Sequence, residues 1–140
     1  MKQDVVLSLR SEQIYMDQEP DVIELVTDGV LEKEADAWRI SYEESELTGL
    51  AGAQTTFLLK DDSVTLIRSG SLNSTMHFRE GVSHESLYQM EFGAMLITVC
   101  ASKIAWDLTP QGGTVDLCYF IDVEHSASGT VNYHLQIRAK

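Results

Sequence analysis

The sequence predicts an all-β fold: one domain over residues 1–140, built as a closed antiparallel meander barrel of eight to ten strands. Apolar and polar residues alternate with a period of two, the repeat of a strand with one buried and one wet face. Turn formers interrupt this alternation at short intervals, and short connections make neighbouring strands antiparallel. Because no long helix is indicated, closing the sheet is the simplest way to remove its edges.

The first five predicted strands each carry one apolar face and end at turn-forming residues. Their ranges are 3–16, 22–34, 37–46, 53–60 and 63–69, with breaks at 17–20, 35–36, 47–52, 61–62 and 70. Alternation assigns these apolar residues to the inward face: Val5, Leu7, Leu9, Ile23, Leu25, Trp38, Ile40, Tyr42, Val64 and Leu66. Residues 30–37 would also suit a helical turn by propensity. We assign them to a strand, because acids alternate with apolar residues around Gly29, which has the character of a bulge or bend.

The last five predicted strands follow the same pattern. Their ranges are 73–79, 84–91, 94–105, 114–124 and 129–139, with breaks near 81, 92–93, 107–113 and 124–129. The predicted inward residues are Met76, Phe78, Tyr88, Met90, Met95, Ile97, Val99, Val115, Leu117, Tyr119, Ile121, Val123, Val131, Tyr133, Leu135 and Ile137. Asp122, His134 and Gln136 fall on the opposite, exposed face.

Two charged residues interrupt the inward faces. Glu44 continues the face of Tyr42, and Arg68 continues the face of Leu66, both near strand ends. A charge inside a barrel must be paired, hydrated or bound to a ligand. We therefore define a mouth cluster as the candidate ligand-binding site: Tyr42, Glu44, Arg68 and Tyr88. The alternative is a closed structural network in which Glu44, Arg68 and a tyrosine hydroxyl satisfy one another. The many large inward side chains predict a small cavity in either case.

The net charge of the chain indicates which classes of molecule are poor candidates for binding partners. Acidic residues number 22 and basic residues 10, a net charge of −12, which repels phosphate backbones and anionic lipids. We therefore expect neither nucleic acid nor membrane as a partner. The N-terminus lacks the pattern of a signal peptide, and no apolar run is long enough for a membrane helix. Cys100 and Cys118 lack metal or redox spacing, so we expect free thiols in the cytoplasm.

No motif for catalysis or for a cofactor stands out. The histidines are scattered without zinc-type spacing, so no metal and no cofactor is expected: His77, His84, His125 and His134. Glu43 and Glu44 are adjacent in a strand and point to opposite faces, so they cannot work as a pair of carboxylates. No set of residues supplies a nucleophile, a base and an oxyanion site together, which disfavours an enzyme without excluding one.

Several segments resemble the YwiB-like family of uncharacterised small bacterial proteins. The resemblance covers nearly the whole chain, in order, and is carried by Ile40, Ser41, Tyr42, Glu43, Glu44, Leu47, Thr48, Gly49, Val64, Leu66, Arg68, Gly70, Met76, Phe78, Tyr88, Phe92, Gly93, Met95, Ile97, Val99 and Tyr119. It departs from the family at Met90, where a threonine is expected, which puts any polar site built on that threonine in doubt. The resemblance implies a calycin-type barrel and a bacterial, cytoplasmic setting, and it implies no activity.

Two functions remain open. The first is binding of a small apolar or amphipathic molecule in the barrel lumen, the role that calycin barrels suggest by fold analogy. The alternative is a non-enzymatic interaction or structural module, whose outer face or acidic flank docks a basic partner or a second copy in a homodimer.

Overall fold

Ten antiparallel strands account for nearly all of the structure. The computed structural model describes residues 1–15, 19–44, 51–90, 93–124 and 127–140, with the side chains of Met90 and Ala127 outside the description. The strands are β1 Lys2–Tyr15, β2 Asp21–Glu34, β3 Ala37–Glu43, β4 Ala53–Lys60, β5 Ser63–Gly70, β6 Leu72–Phe78, β7 Ser83–Met90, β8 Gly93–Thr109, β9 Gly112–Val123 and β10 Ala127–Ala139.

The sheet closes into a barrel, as the sequence predicts. Each strand pairs with its neighbours in the sequence, and β1 completes the circle by pairing with β10. Leu9 of β1 lies opposite Leu25 of β2 on one side and opposite Leu135 of β10 on the other. All three side chains are buried, so matching apolar faces set the register around the closure.

The predicted facing of the C-terminal strands is confirmed in most positions. Tyr119, Tyr133 and Leu135 are buried, whereas His134 and Gln136 are exposed. Ile121 and Asp122 are both intermediate, because their end of β9 lies near the barrel rim. Large apolar side chains fill the end of the barrel away from that rim: Val5, Leu31, Leu59, Val64, Phe78, Val115 and Ile137.

Strand β8 is longer than the sequence predicts. The alternation predicts an end near 105, but β8 continues to Thr109, and a bulge between Ala101 and Lys103 shifts its pairing with β9. Ala101 faces inward before the bulge and Leu108 faces inward after it, so the period-two pattern changes phase. The Trp106 indole nitrogen then donates to the Lys60 carbonyl at 3.2 Å. Alternation predicts a strand only while its phase is constant, so the predicted strand ends early, near the bulge that changes the phase.

Gly29 is not a bulge, so that interpretation is wrong. Its pairing with Val5 and with Tyr42 continues the registers of both neighbouring strands. A Cβ atom at position 29 would lie 2.8 Å from Leu7 Cδ1 and 2.8 Å from the Ser41 carbonyl oxygen. The glycine therefore allows close packing within a regular strand. The strand assignment of this region is confirmed, since β2 runs to Glu34.

Candidate functional site

A cavity of about 260 Å³ occupies one end of the barrel lumen. It is lined near the ends of the odd-numbered strands, by Tyr15 of β1, Arg68 of β5, Tyr88 of β7 and Val123 of β9, and by Glu44 just after β3. In an antiparallel meander the odd strands all end at the same rim, so the topology gathers these residues at the barrel mouth. All four residues of the mouth cluster line this cavity.

A buried ion pair lies at the centre of the mouth cluster. Arg68 Nε lies 3.8 Å from Glu44 Oε2, and the two side chains are only 7% and 2% exposed. Thr55 lies between them in the sheet, since it pairs with Arg68 on β5 and with Tyr42 on β3. The Thr55 hydroxyl donates to Glu44 Oε2 at 2.5 Å. The register thus aligns Arg68 with Thr55 and Tyr42, and Glu44, two residues beyond Tyr42, reaches back to Thr55 and Arg68.

Tyrosines surround this ion pair. Arg68 Nη2 donates to the Tyr133 hydroxyl at 3.1 Å, although Tyr133 belongs to the far side of the barrel. We call three further tyrosines the lumen tyrosines: Tyr42, Tyr88 and Tyr119. Burial raises the pKa of each of them, and for Tyr42 the negative charge of Glu44 raises the pKa further. The lumen tyrosines are therefore neutral hydroxyls at physiological pH.

Arg68 keeps its positive charge in this environment. Burial by itself lowers the pKa of Arg68, but attraction to the surrounding tyrosines and to Glu44 outweighs it, and the pKa is raised overall. Glu44 is the carboxylate that forms the ion pair with Arg68, and both side chains line the cavity. The site thus presents one positive and one negative charge side by side.

The polar network at the mouth is incomplete. Among the described residues, Glu44 Oε1, Arg68 Nε and Ser11 Oγ are buried without a hydrogen-bond partner, and all three residues line the cavity. The predicted alternative is a closed network of Glu44, Arg68 and a tyrosine hydroxyl. It is observed in part, because the Tyr133 hydroxyl accepts a hydrogen bond from Arg68. A buried polar atom left unsatisfied costs about 1–3 kcal/mol. Three residues that line the cavity therefore each keep one polar atom whose hydrogen bond is not made within the described part of the chain.

The sequence located part of this site and missed the rest. It brought Tyr42, Glu44, Arg68 and Tyr88 together, but it assigned Tyr133 to the core and did not single out Ser11 or Thr55. A wider criterion, any polar residue on an inward face, would have found Ser11 as well, since Ser11 continues the inward face of Leu7 and Leu9. Thr55 is likewise a polar residue on the buried face of β4.

Other chemistry is sparse in the described part of the chain. Within the described ranges, no three His, Cys, Asp or Glu side chains are grouped so that they could hold a metal ion. Cys100 and Cys118 are free and partly buried. The same ranges contain no helix long and apolar enough to cross a membrane.

The fold is a closed ten-stranded antiparallel barrel with a polar cluster at one end of its lumen, which places the chain among the small β-barrel proteins. The chain belongs to the family described as "Domain of unknown function (DUF1934)", which it matches over residues 7–137. It is 26% identical over 138 residues to the uncharacterized beta-barrel protein YwiB of Bacillus subtilis (strain 168), covering 95% of this chain and 96% of that protein.

A solved structure has the same fold. The crystal structure of the ywiB protein from Bacillus subtilis superposes with a TM-score of 0.89 at 22% identity, covering 99% of this chain and 93% of that one. Together with the family match, this confirms the predicted family and the predicted barrel.

Proposed function

We propose that this barrel binds a small molecule in its lumen, with a polar group of that molecule against the mouth cluster. The observation that carries the proposal is the ion pair of Arg68 and Glu44 among the residues that line the cavity. Burying two charges is unfavourable unless further hydrogen bonds satisfy them, and Glu44, Arg68 and Ser11 each keep one buried polar atom without a hydrogen-bond partner among the described residues. A small shift of these side chains toward the lumen would let the polar group of a bound molecule supply the missing hydrogen bonds.

The size and lining of the cavity describe the molecule. An apolar cavity of about 150 Å³ can hold benzene, so the 260 Å³ here corresponds to a molecule of about ten non-hydrogen atoms. Leu9, Met76, Ile97 and Val131 supply apolar parts of the cavity wall. The volume is below the roughly 300–1,000 Å³ of pockets for drug-sized ligands. These features favour a small amphipathic molecule with an apolar body and one polar end.

Native mass spectrometry of the protein purified from its own host tests this proposal. We expect a second species, heavier by the mass of one small molecule, that disappears on denaturation. Arg68→Met should remove that species, because it removes the donor at the cavity wall. Phe120→Ser is the matched control, since Phe120 lies on the outer face with 57% of its surface exposed. A single unliganded mass under all gentle conditions would contradict the proposal.

An exposed aromatic residue favours the alternative function, an interaction surface on the outer face. Phe120 of β9 lies opposite Thr130 of β10 and Cys100 of β8, so it stands in the middle of three strands. A second copy of the chain covering this face would form a homodimer, and sedimentation of wild type and Phe120→Ser measures it. Concentration-dependent dimerisation that Phe120→Ser abolishes would support this role.

For either function we propose a cytoplasmic setting, supported by the two free thiols. The net charge of −12 supports partners other than nucleic acid or anionic membranes.

A further inference from the structure

We infer that the lumen selects an uncharged molecule that carries a hydrogen-bond acceptor and a donor side by side, as a primary amide or a lactam does. This inference rests on the proposed function and names the chemistry of the molecule. It follows from two properties of the residues that line the cavity, their charge balance and the pairing of a hydrogen-bond donor, Arg68, with an acceptor, Glu44.

The charge balance disfavours an ionic ligand. Arg68 and Glu44 line the cavity as an ion pair whose closest atoms are 3.8 Å apart, so their charges largely cancel. A carboxylate ligand at Arg68 would lie beside the carboxylate of Glu44, and an ammonium ligand at Glu44 would lie beside the guanidinium of Arg68. Either would add an uncompensated charge to a buried site, which is strongly unfavourable.

The net charge of the chain also disfavours the binding of anionic ligands. The whole chain carries a net charge of −12, which lowers the concentration of anions near the cavity entrance.

The ion pair supplies a donor and an acceptor on neighbouring side chains. Arg68 and Glu44 both line the cavity, and a guanidinium only donates hydrogen bonds whereas a carboxylate only accepts them. A primary amide presents a carbonyl oxygen and an N–H on one edge, so it can accept from Arg68 and donate to Glu44 at once.

Three probes of nearly the same shape separate the possibilities at pH 7.5: benzamide is neutral, benzoate is an anion and benzamidine is a cation. Each has nine non-hydrogen atoms, which suits the 260 Å³ cavity. Dissociation constants are measured by NMR titration for wild type, Glu44→Gln and Glu43→Gln. Glu43→Gln is the matched control, because Glu43 is the adjacent, exposed residue.

We expect wild type to bind benzamide at least about tenfold more tightly than benzoate or benzamidine. Glu44→Gln leaves Arg68 without a compensating charge, so benzoate should become the tightest of the three, whereas Glu43→Gln should keep the wild-type order. Benzoate binding to wild type as tightly as benzamide, or an unchanged order in Glu44→Gln, would overturn the inference and leave the proposed function standing. Binding of none of the three would overturn both.

Discussion

Replacement of Arg68 by methionine tests whether the mouth cluster is a coupled, buried ion pair. The change keeps most of the side-chain volume and leaves Glu44, whose side chain is 2% exposed, with Thr55 as its described hydrogen-bond partner. Removing one member of a buried pair costs about 3–5 kcal/mol, because the other charge is left uncompensated. Against a typical stability of about 5–15 kcal/mol, the variant should fold with a much lower free energy of unfolding.

A double-mutant cycle in urea measures the coupling between the two charges. Adding Glu44→Gln to Arg68→Met should recover much of the loss, since the neutral amide still accepts a hydrogen bond from Thr55. The surface pair between Arg79 and Asp62, 3.4 Å apart with side chains 57% and 70% exposed, is the control. Arg79→Met should change the free energy of unfolding by less than about 1 kcal/mol. A loss below about 1 kcal/mol for Arg68→Met, or additive losses in the double variant, would refute this reasoning.

Three further predictions concern pH and packing. Because burial raises the pKa of the lumen tyrosines above 10.0, the unfolded chain loses those protons first. The free energy of unfolding should therefore fall above about pH 10, by up to about 1.4 kcal/mol per pH unit for each tyrosine. Urea denaturation at a series of pH values from 8 to about 11 measures this fall. A free energy of unfolding that stays constant over that range would contradict the prediction. Leu135→Ala should cost about 2–5 kcal/mol by urea denaturation, whereas Phe120→Ala should cost about 0.5 kcal/mol or less. A larger cost for Phe120→Ala than for Leu135→Ala would mean that the faces are reversed. Gly29→Ala should lower the free energy of unfolding by about 1–3 kcal/mol in the same assay, because the added Cβ would lie 2.8 Å from Leu7 and from the Ser41 carbonyl. An unchanged urea midpoint of unfolding would contradict that clash.

The fold could be predicted from the sequence because alternation and turn formers act locally. Val131, Tyr133 and Leu135 reveal the buried face of β10 without knowledge of any other strand, and the short connections then require antiparallel neighbours. The errors arose where a nonlocal feature breaks that pattern. The bulge after Ala101 changes the phase of β8, and the reason for Gly29 is contact with neighbouring strands rather than local geometry.

The candidate site could be predicted only in part, because its contacts join residues that are far apart in the chain. A charge on an inward face marks Glu44 and Arg68, since such a charge requires a partner whatever the fold. The hydrogen bond from Arg68 to Tyr133 spans the lumen between β5 and β10 and depends on the barrel diameter and strand tilt. Whether Arg68 Nε has a hydrogen-bond partner depends on its distances to the surrounding polar atoms, and alternation along a strand does not predict those distances.

The Nε–H signal of Arg68 in a ¹H–¹⁵N NMR spectrum tests the central claim most directly. That N–H is buried and lacks a hydrogen-bond partner among the described residues, and its side chain lines the cavity. Its signal can be assigned by its loss in Arg68→Met. The account predicts that the signal is observable through slow exchange with solvent and that it shifts progressively as benzamide is added, while the signal of exposed Arg79 stays in place. Benzamide shifts confined to Arg79 and other exposed arginines, with the Arg68 signal unmoved, would contradict a ligand site in the lumen.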